Sequence, residues 1–532
     1  MTDANWIVGN GCFLFKKEFC SNGEMIYAKL SITAMGVYKA VLNGRRVGNF
    51  VLAPGFTSYQ NRHLYQEYDI TDMLKNENEL LVFVGEGWYR GQLSWDVNHR
   101  NIYGGQCGII AKIELKYSDR TELINTDESW LCGNSPILFS GIYAGETYDA
   151  RITPVFNQNA TILDAKKSNL LLQDGEIVCE HERLAPVKTF VTPKGEKVID
   201  FGQNITGYVE IKTTAKAGQR IVVSHAEVLD KDGNFSTENL RTAKQQLSYI
   251  CREGKQTYKP HFTFMGFRYI RLDECTDNTE FVAIVVHSDM RRTGYFKCSN
   301  EKVNKLFENT IWGQKGNFLD IPTDCPQRDE RLGWTGDAQV FIKAASFNFG
   351  VNRFFEKWLA DLAADQREDG CVTDVVPDVL KRDGEDGSAA WGDAAVICPW
   401  QLYLTYGNKA LLKRQFESMK KWVDFSRLKG RKHYGDWLAL DAADGNDRGL
   451  TNQEFISSAF NIYSTEILIK CGKIIGEDVS EYKKRYECLR ENFESEYEIK
   501  TQTEHTLALK FRLTKNPQKV AASLAQMIKE NN

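Results

Sequence analysis

Near residue 297 the apolar residues stop recurring at every second position and begin to recur at every third or fourth. A period of two lays one face of a strand on a core and a period near 3.6 does the same for a helix, so the chain divides into a β part and an α part. In the β part, SITAMGVYKAVLNGRRVGNF (residues 31–50) alternates on both sides of Asn43-Gly44, the dipeptide best suited to a tight type I′ hairpin. NELLVFVGEG, GIIAKIELKYS, GYVEIKTT, QRIVVSHAEV and FRYIRLDE read as further strands, separated by Gly, Asn and Asp turns. Their regular spacing predicts two β-sandwiches, over residues 1–165 and 166–290, with polar, weakly periodic sequence from Pro154 to Ala185 around the boundary. LDKDGNF (229–235) reads as a hairpin turn in preference to a calcium loop.

Residues 291–532 carry the helical pattern. Ser299 is positioned to cap a helix with Val303, Leu306, Phe307 and Ile311 on one stripe, and Thr335 to cap one with Val340, Phe341, Ala344 and Ala345. Further helices are expected over 351–366, 391–406, 409–427, 453–475, 480–497 and 504–512, with a last one opening at Pro517. Some nine helices with almost no strand signal between them predict antiparallel helical hairpins. Three domains also fit a length of 532 residues.

The formal charge of -4 and the lack of any long Lys/Arg run exclude the electrostatic footprint of a nucleic-acid binder and give no sign of membrane attachment. Thirteen cysteines, an odd number without a C-x-x-C pair or a Cys/His cluster, read as free thiols. The N-terminus MTDANWIVGNGCFLFKKEF has no basic region followed by an apolar run, and no stretch reaches the ~18 apolar residues of a membrane span. Both observations lead to the expectation of a cytoplasmic protein.

The densest chemistry lies in DCPQRDERLGWTGD, residues 324–337, which gathers Asp324, Asp329, Glu330 and Asp337 with Arg328, Arg331 and Trp334. Four carboxyls that converge from a Pro-interrupted loop cannot all ionise cheaply. Repulsion and burial raise the pKa of at least one, while Arg328 and Arg331 are expected to hold others charged, as a general acid and its partners require. Structural salt bridging and a metal site are the competing readings. The second is weakened because no His lies within thirty residues and the acid spacing is not that of a calcium loop.

This motif resembles the signature of the bacterial α-L-rhamnosidases of glycoside hydrolase family 78. LAPGFTSY (52–59), YDITDML (68–74) and GEGWYRG (85–91) are similar to the family's N-terminal sandwich, and DFGQNITGYVEI (200–211), SHAEVL (224–229) and FTFMGFRYI (262–270) to its second. GSAAWGDA (387–394) and YGDWLALD (434–441) resemble pocket segments of its (α/α)6 toroid. The resemblance implies two β-sandwiches and a catalytic helical toroid over 291–532 that hydrolyses terminal non-reducing α-L-rhamnosides with inversion. It makes Glu330 the general acid, and Asp324, Arg328, Trp334, Asp337, Trp391, Asp393 and Trp437 substrate-binding residues. No cofactor and no metal is expected, and the partners implied are rhamnose-containing glycosides or oligosaccharides. The family's base, a glutamate in the closing helices, resembles no segment of this chain and is expected beyond Asn532, with Asp393 and Asp441 as poor substitutes. On that reading the toroid is incomplete, apolar helix faces stay unburied, and the 532-residue chain is weak or inactive. A non-catalytic carbohydrate-binding protein and an inverting glycosidase of other specificity are the alternatives.

Overall fold

The computed structural model describes all residues except 2, 12, 383, 430–433, 444, 531 and 532. The chain forms two units, Met1–Arg291 with Tyr295–Leu332, and Arg292–Gly294 with Gly333–Asn532.

In the first unit the N-terminal β domain consists of a seven-stranded and a six-stranded sheet. The strand Met25–Met35 is central to the larger sheet and runs antiparallel to both Gly108–Tyr117 and His63–Asp69. Its inner residues Leu30, Ile32 and Ala34 are fully buried, as period-two alternation requires. The Asn43-Gly44 turn forms as expected: Leu42 pairs with Arg45, and φ is +52° and +78° at the two turn residues.

The second β domain is one network of ten strands. The 19-residue strand Lys197–Ala215 runs through it, pairing with Met265–Glu274 and Thr279–Ser288 across a register shift between Asp200 and Ile205. Sequence periodicity does not announce its membership. The hairpin Ile137–Gly141 and Gly145–Asp149, on the N-terminal side of the expected boundary at 165, joins this sheet through parallel pairing of Gly145–Asp149 with Gln246–Ile250. Gly145 is required there, because φ is +108° and a Cβ would lie 1.9 Å from the Gln246 carbonyl oxygen. LDKDGNF closes as a hairpin turn, with Leu229 paired to Phe235 and Asp230 accepting from the Asp232 and Asn234 amides.

Nine helices lie between Glu301 and Glu530 among the described residues, and their order follows the pattern read from sequence. Glu301–Asn317 packs on the second β domain within the first unit. Its cap is Asn300, whose side chain accepts from the Lys302 and Val303 amides, and not Ser299. Of the expected stripe only Ile311 is buried, while Val303 and Leu306 face solvent. Thr335 is likewise the first helical residue of Thr335–Asn348 and not its cap, because its hydroxyl donates to the Asp374 carbonyl. That helix buries Ala338, Ile342 and Ala345 and leaves Val340 74% exposed, a rotation away from the stripe anticipated.

In the second unit neighbouring helices pack in chain order: Ala394–Tyr406 on Lys409–Lys429, Lys409–Lys429 on Gln453–Ile475, and Gln453–Ile475 on Ser480–Glu496. Gln453–Ile475 has the ends expected of it, since Asn452 caps the start and Gly476, at φ +88°, stops the helix. Phe455, Ala459 and Ile462 of that helix meet Phe493, Ala508 and Phe511 in a buried cluster. No helix is long and apolar enough to cross a membrane among the described residues.

Candidate active site

Residues 324–332 of the acidic motif lie in the first unit, on a loop held by one buried guanidinium. Arg331 is 1% exposed and donates to the carbonyls of Ile142, Phe264, Gln327 and Arg328 and to Gln245 Oε1. All five donors of the fork can thus be engaged, and the aromatic rings of Tyr143 and Phe264 lie 5.2 and 4.8 Å from the guanidinium carbon. Burial pushes its pKa down to about 10. Arg331 therefore clamps backbone and pairs with none of the motif's acids, contrary to the role expected for it. Gly266 permits the close approach of the loop, since a Cβ there would lie 2.9 Å from Pro326 and Gln327 side-chain atoms.

The acids themselves divide by environment. Asp329 is fully buried, and its Oδ2 accepts from the Thr242 amide at 3.1 Å and hydroxyl at 2.6 Å. Glu330 is 8% exposed; its Oε2 lies 2.9 Å from Arg328 Nε and 3.2 Å from Arg241 Nη1. The Arg241 contact is a hydrogen bond, whereas the Arg328 contact is one of charge without hydrogen-bond alignment. Tyr143 donates to the Glu330 carbonyl at 2.6 Å and fixes the acid's backbone. Asp324 accepts from the Leu332 amide at 2.8 Å and has Arg328 Nη2 at 3.6 Å. Burial, reinforced by the Glu330 charge, pushes the Asp324 carboxyl up to about 7. Ligand atoms of Asp324, Cys325 and Glu330 lie within 4.8 Å of one another, the one such group among the described residues. Arg328 and Arg241 already bring positive charge there, so a cation would face two guanidiniums.

Residues 333–337 lie in the second unit, against the segment 374–376. The Gly333 carbonyl accepts from the Val376 amide, Trp334 bridges Val375, and the Thr335 amide donates to the Asp374 carbonyl. Three tryptophans expected in a sugar pocket gather here around Tyr434. Ring centroids are 4.6 Å from Tyr434 to Trp391, 5.4 Å to Trp437 and 5.8 Å to Trp334. Gly336 lets the Trp391 indole close on the backbone, because a Cβ would meet it at 2.7 Å. Arg382 Nη1 donates to the Tyr434 hydroxyl at 2.7 Å, and burial pushes that phenol up to about 12. Trp437 is 40% exposed, and Asp337 is exposed on the first turn of Thr335–Asn348.

Asp393, expected to bind sugar, is placed in the interior. It is 1% exposed, and its oxygens accept from Trp422 Nε1 at 2.9 Å, Ser464 Oγ and the Ala390 amide at 2.8 Å. A void of about 10 Å³, the size of one water, adjoins it between Trp422, Ser426 and Asn461. A second pair of acids went unanticipated. Asp374 is fully buried, accepts from the Ser388 amide and hydroxyl at 3.1 Å, and receives no directed cationic hydrogen bond among the described residues. Burial and the nearby Asp386 push it up to about 7, and Asp386 itself pairs with Arg367. Arg241, Tyr143 and Asp374 were missed because a lone Arg, Tyr or Asp in a loop has no periodic signal; Tyr434 opens the YGDWLALD segment that the resemblance had already marked.

A β-sandwich domain, a second β domain and a run of helical hairpins define a multidomain class of β-then-α architecture. Three families match along the chain: the alpha-L-rhamnosidase N-terminal domain over residues 23–182, the bacterial alpha-L-rhamnosidase concanavalin-like domain over 190–287, and the bacterial alpha-L-rhamnosidase 6 hairpin glycosidase domain over 291–532. The chain belongs to the bacterial α-L-rhamnosidase family. An α-L-rhamnosidase structure from Aspergillus terreus is 37% identical with a TM-score of 0.94, over 99% of this chain and 67% of that one. A Streptomyces avermitilis α-L-rhamnosidase structure, complexed with L-rhamnose, is 32% identical with a TM-score of 0.91, over 99% of this chain and 53% of that one. Among curated relatives, the α-L-rhamnosidase of an Alteromonas species is 36% identical over 94% of this chain and 58% of its own length. The chain spans about half of the curated Streptomyces avermitilis relative, 35% identical over 93% of this chain and 50% of that protein.

Proposed function

We propose that the protein hydrolyses terminal non-reducing α-L-rhamnosides with inversion, Glu330 donating the proton to the leaving oxygen. Support comes from family membership, from the relative that binds L-rhamnose, and above all from the setting of the Glu330 carboxyl. It is 8% exposed, oriented by two arginines, and close to Asp324, whose carboxyl is held near neutrality by burial. Burial and the Glu330 charge keep the Asp324 carboxyl protonated to about pH 7, so a proton is held close to the glutamate. Arg328 and Arg241 then stabilise the glutamate left after the proton has gone. In the helical unit, Trp334, Trp391, Trp437 and Tyr434 offer ring faces to the C–H surface and methyl group of a 6-deoxy sugar. Asp337 in the helical unit, and Arg328 in the first unit, each carry groups that match sugar hydroxyls.

Inversion needs a second carboxylate that activates water on the opposite face, ~6.5–9.5 Å from the acid. Asp393 is unsuited, since its oxygens are engaged by Trp422, Ser464 and Ala390, and Asp441 lies exposed with the Leu450 amide on its Oδ1. No disulfide joins two of the described cysteines, which favours a reducing compartment such as the cytoplasm.

The test is hydrolysis of an aryl α-L-rhamnoside by the 532-residue chain. Glu330→Gln should lower kcat by about 100- to 10,000-fold while the folded spectrum is kept, and proton NMR should detect the β anomer of rhamnose first. Full activity in Glu330→Gln, initial release of the α anomer, or neither turnover nor binding of the glycoside would each refute the reading.

A further inference from the structure

Three consecutive residues of the acidic motif are each gripped from one short segment of the second β domain. Arg241 Nη1 donates to Glu330 Oε2 at 3.2 Å, the Thr242 amide and hydroxyl donate to Asp329, and Gln245 Oε1 accepts from Arg331 at 3.3 Å. Arg241 Nη1 also lies 3.7 Å from Asp329 Oδ1, so one guanidinium spans both acids. The segment follows the strand Arg220–Ala226 and leads directly into Gln246–Ile250.

This grip is reached through backbone that arginine rarely adopts. At Arg241 φ is +55° and ψ −118°, and the Ala243 amide donates to the Leu240 carbonyl at 3.0 Å, which makes Arg241 the first central residue of a type II′ turn. Glycine is the usual occupant of that position, because a Cβ is crowded there. Gln245 has a positive φ as well, +46°. Both ends of the segment are anchored in the interior. Leu240 and Gln245 are buried, the Gln245 amide donates to the Tyr143 carbonyl at 3.0 Å, and Gln245 Oε1 also accepts from the Gly266 amide at 2.9 Å. Strain of this kind persists where the surrounding contacts over-determine it. A glycine at position 241 would remove the strain and, with it, the group that meets Glu330.

We infer that residues 241–245 are the positioning element of the catalytic acid, Arg241 being kept in a strained backbone so that its guanidinium fixes the Glu330 carboxyl. Thr242 and Gln245 fix the residues before and after it. The inference rests on the rhamnoside-hydrolysing reading above and adds to it that the second β domain gives up stability at one turn to aim the proton donor.

The experiment uses the full chain and compares Arg241→Gly with Arg241→Ala. Both lose the guanidinium, but only glycine fits φ +55° without strain, so Arg241→Gly should unfold about 2 °C above Arg241→Ala, the reverse of their order at an unstrained position. With an aryl α-L-rhamnoside both should lose kcat by about 10- to 100-fold with KM little changed. Guanidinium chloride at millimolar concentration should restore part of kcat in both variants and none in Glu330→Gln. The contact itself is read from a cycle with Glu330→Gln, in which Arg241→Ala should lower the unfolding midpoint by less than it does in wild type. A midpoint for Arg241→Ala at or above that of Arg241→Gly overturns the strain, and equal midpoint shifts in the two backgrounds overturn the contact, whether or not the chain turns the glycoside over. An unchanged kcat, or a loss that guanidinium does not reverse and that follows the midpoint from variant to variant, overturns the positioning role. Neither turnover nor binding of the glycoside by wild type overturns the rhamnoside reading and this role with it.

Discussion

Arg331 illustrates how a charged residue in a catalytic motif can serve the fold. Sequence chemistry assigned it to neutralising acids, yet its guanidinium is buried among the carbonyls of Ile142, Phe264, Gln327 and Arg328. Lysine keeps the charge but loses the planar five-donor fork, so Arg331→Lys should destabilise the first unit by about 3 kcal/mol. Chemical denaturation checks this, and an unchanged midpoint would contradict the clamp. The resemblance of the fourteen-residue motif and of GSAAWGDA and YGDWLALD brought Glu330, Trp334, Trp391 and Trp437 into consideration, and the three indoles do gather around one ring. The resemblance could not convey how Asp393 is surrounded, because an acid beside a tryptophan in sequence is equally suited to a pocket wall or a core. Nor could it separate Asp329, fixed by Thr242, from Glu330, one residue along and gripped by two arginines.

Among the elements, those built from local contacts were legible and those built from distant ones were not. Gln453–Ile475 was readable to its ends because its cap and its stopping glycine are adjacent in sequence. Gln502–Lys510 begins two residues before the expected 504, since Thr501 and Glu504 form a capping box that the apolar pattern alone does not reveal. The hairpin 137–149 pairs with Gln246–Ile250, and no local signal specifies that partner. Gly145→Ala tests this pairing directly. A methyl group 1.9 Å from the Gln246 oxygen, at φ +108°, must displace backbone, so a loss of more than about 3 kcal/mol or failure to accumulate as soluble protein is expected. A melting temperature within 2 °C of wild type (an arbitrary limit of roughly 1 kcal/mol) would mean the strands do not meet there.

At the scale of the whole molecule, charge burial makes stability depend on pH. Among the described residues Asp374 has no directed cationic hydrogen bond, and burial and the Asp386 charge raise its pKa from 3.8 to about 7 on folding, against the Ser388 hydrogen bonds and the Arg382 charge. Below pH 4 it is protonated in both states and costs nothing; as pH climbs toward 7 the unfolded chain ionises while the folded one resists, so stability falls and the loss is complete above 7. The unfolding midpoint of the helical unit should therefore decline from about pH 4 to 7 in wild type relative to Asp374→Asn, in which that contribution is removed. Parallel curves for the two proteins would refute the assignment. The parallel pairing of the hairpin has a different consequence, one of timing during synthesis. Gly145–Asp149 leaves the ribosome about a hundred residues ahead of the strand it must join, an interval of roughly 5–20 s at ordinary elongation rates. Throughout it a strand edge stands open to any passing chain, so a translational pause in that window, or the lack of a chaperone to cover it, should govern how much of the nascent protein reaches its native state.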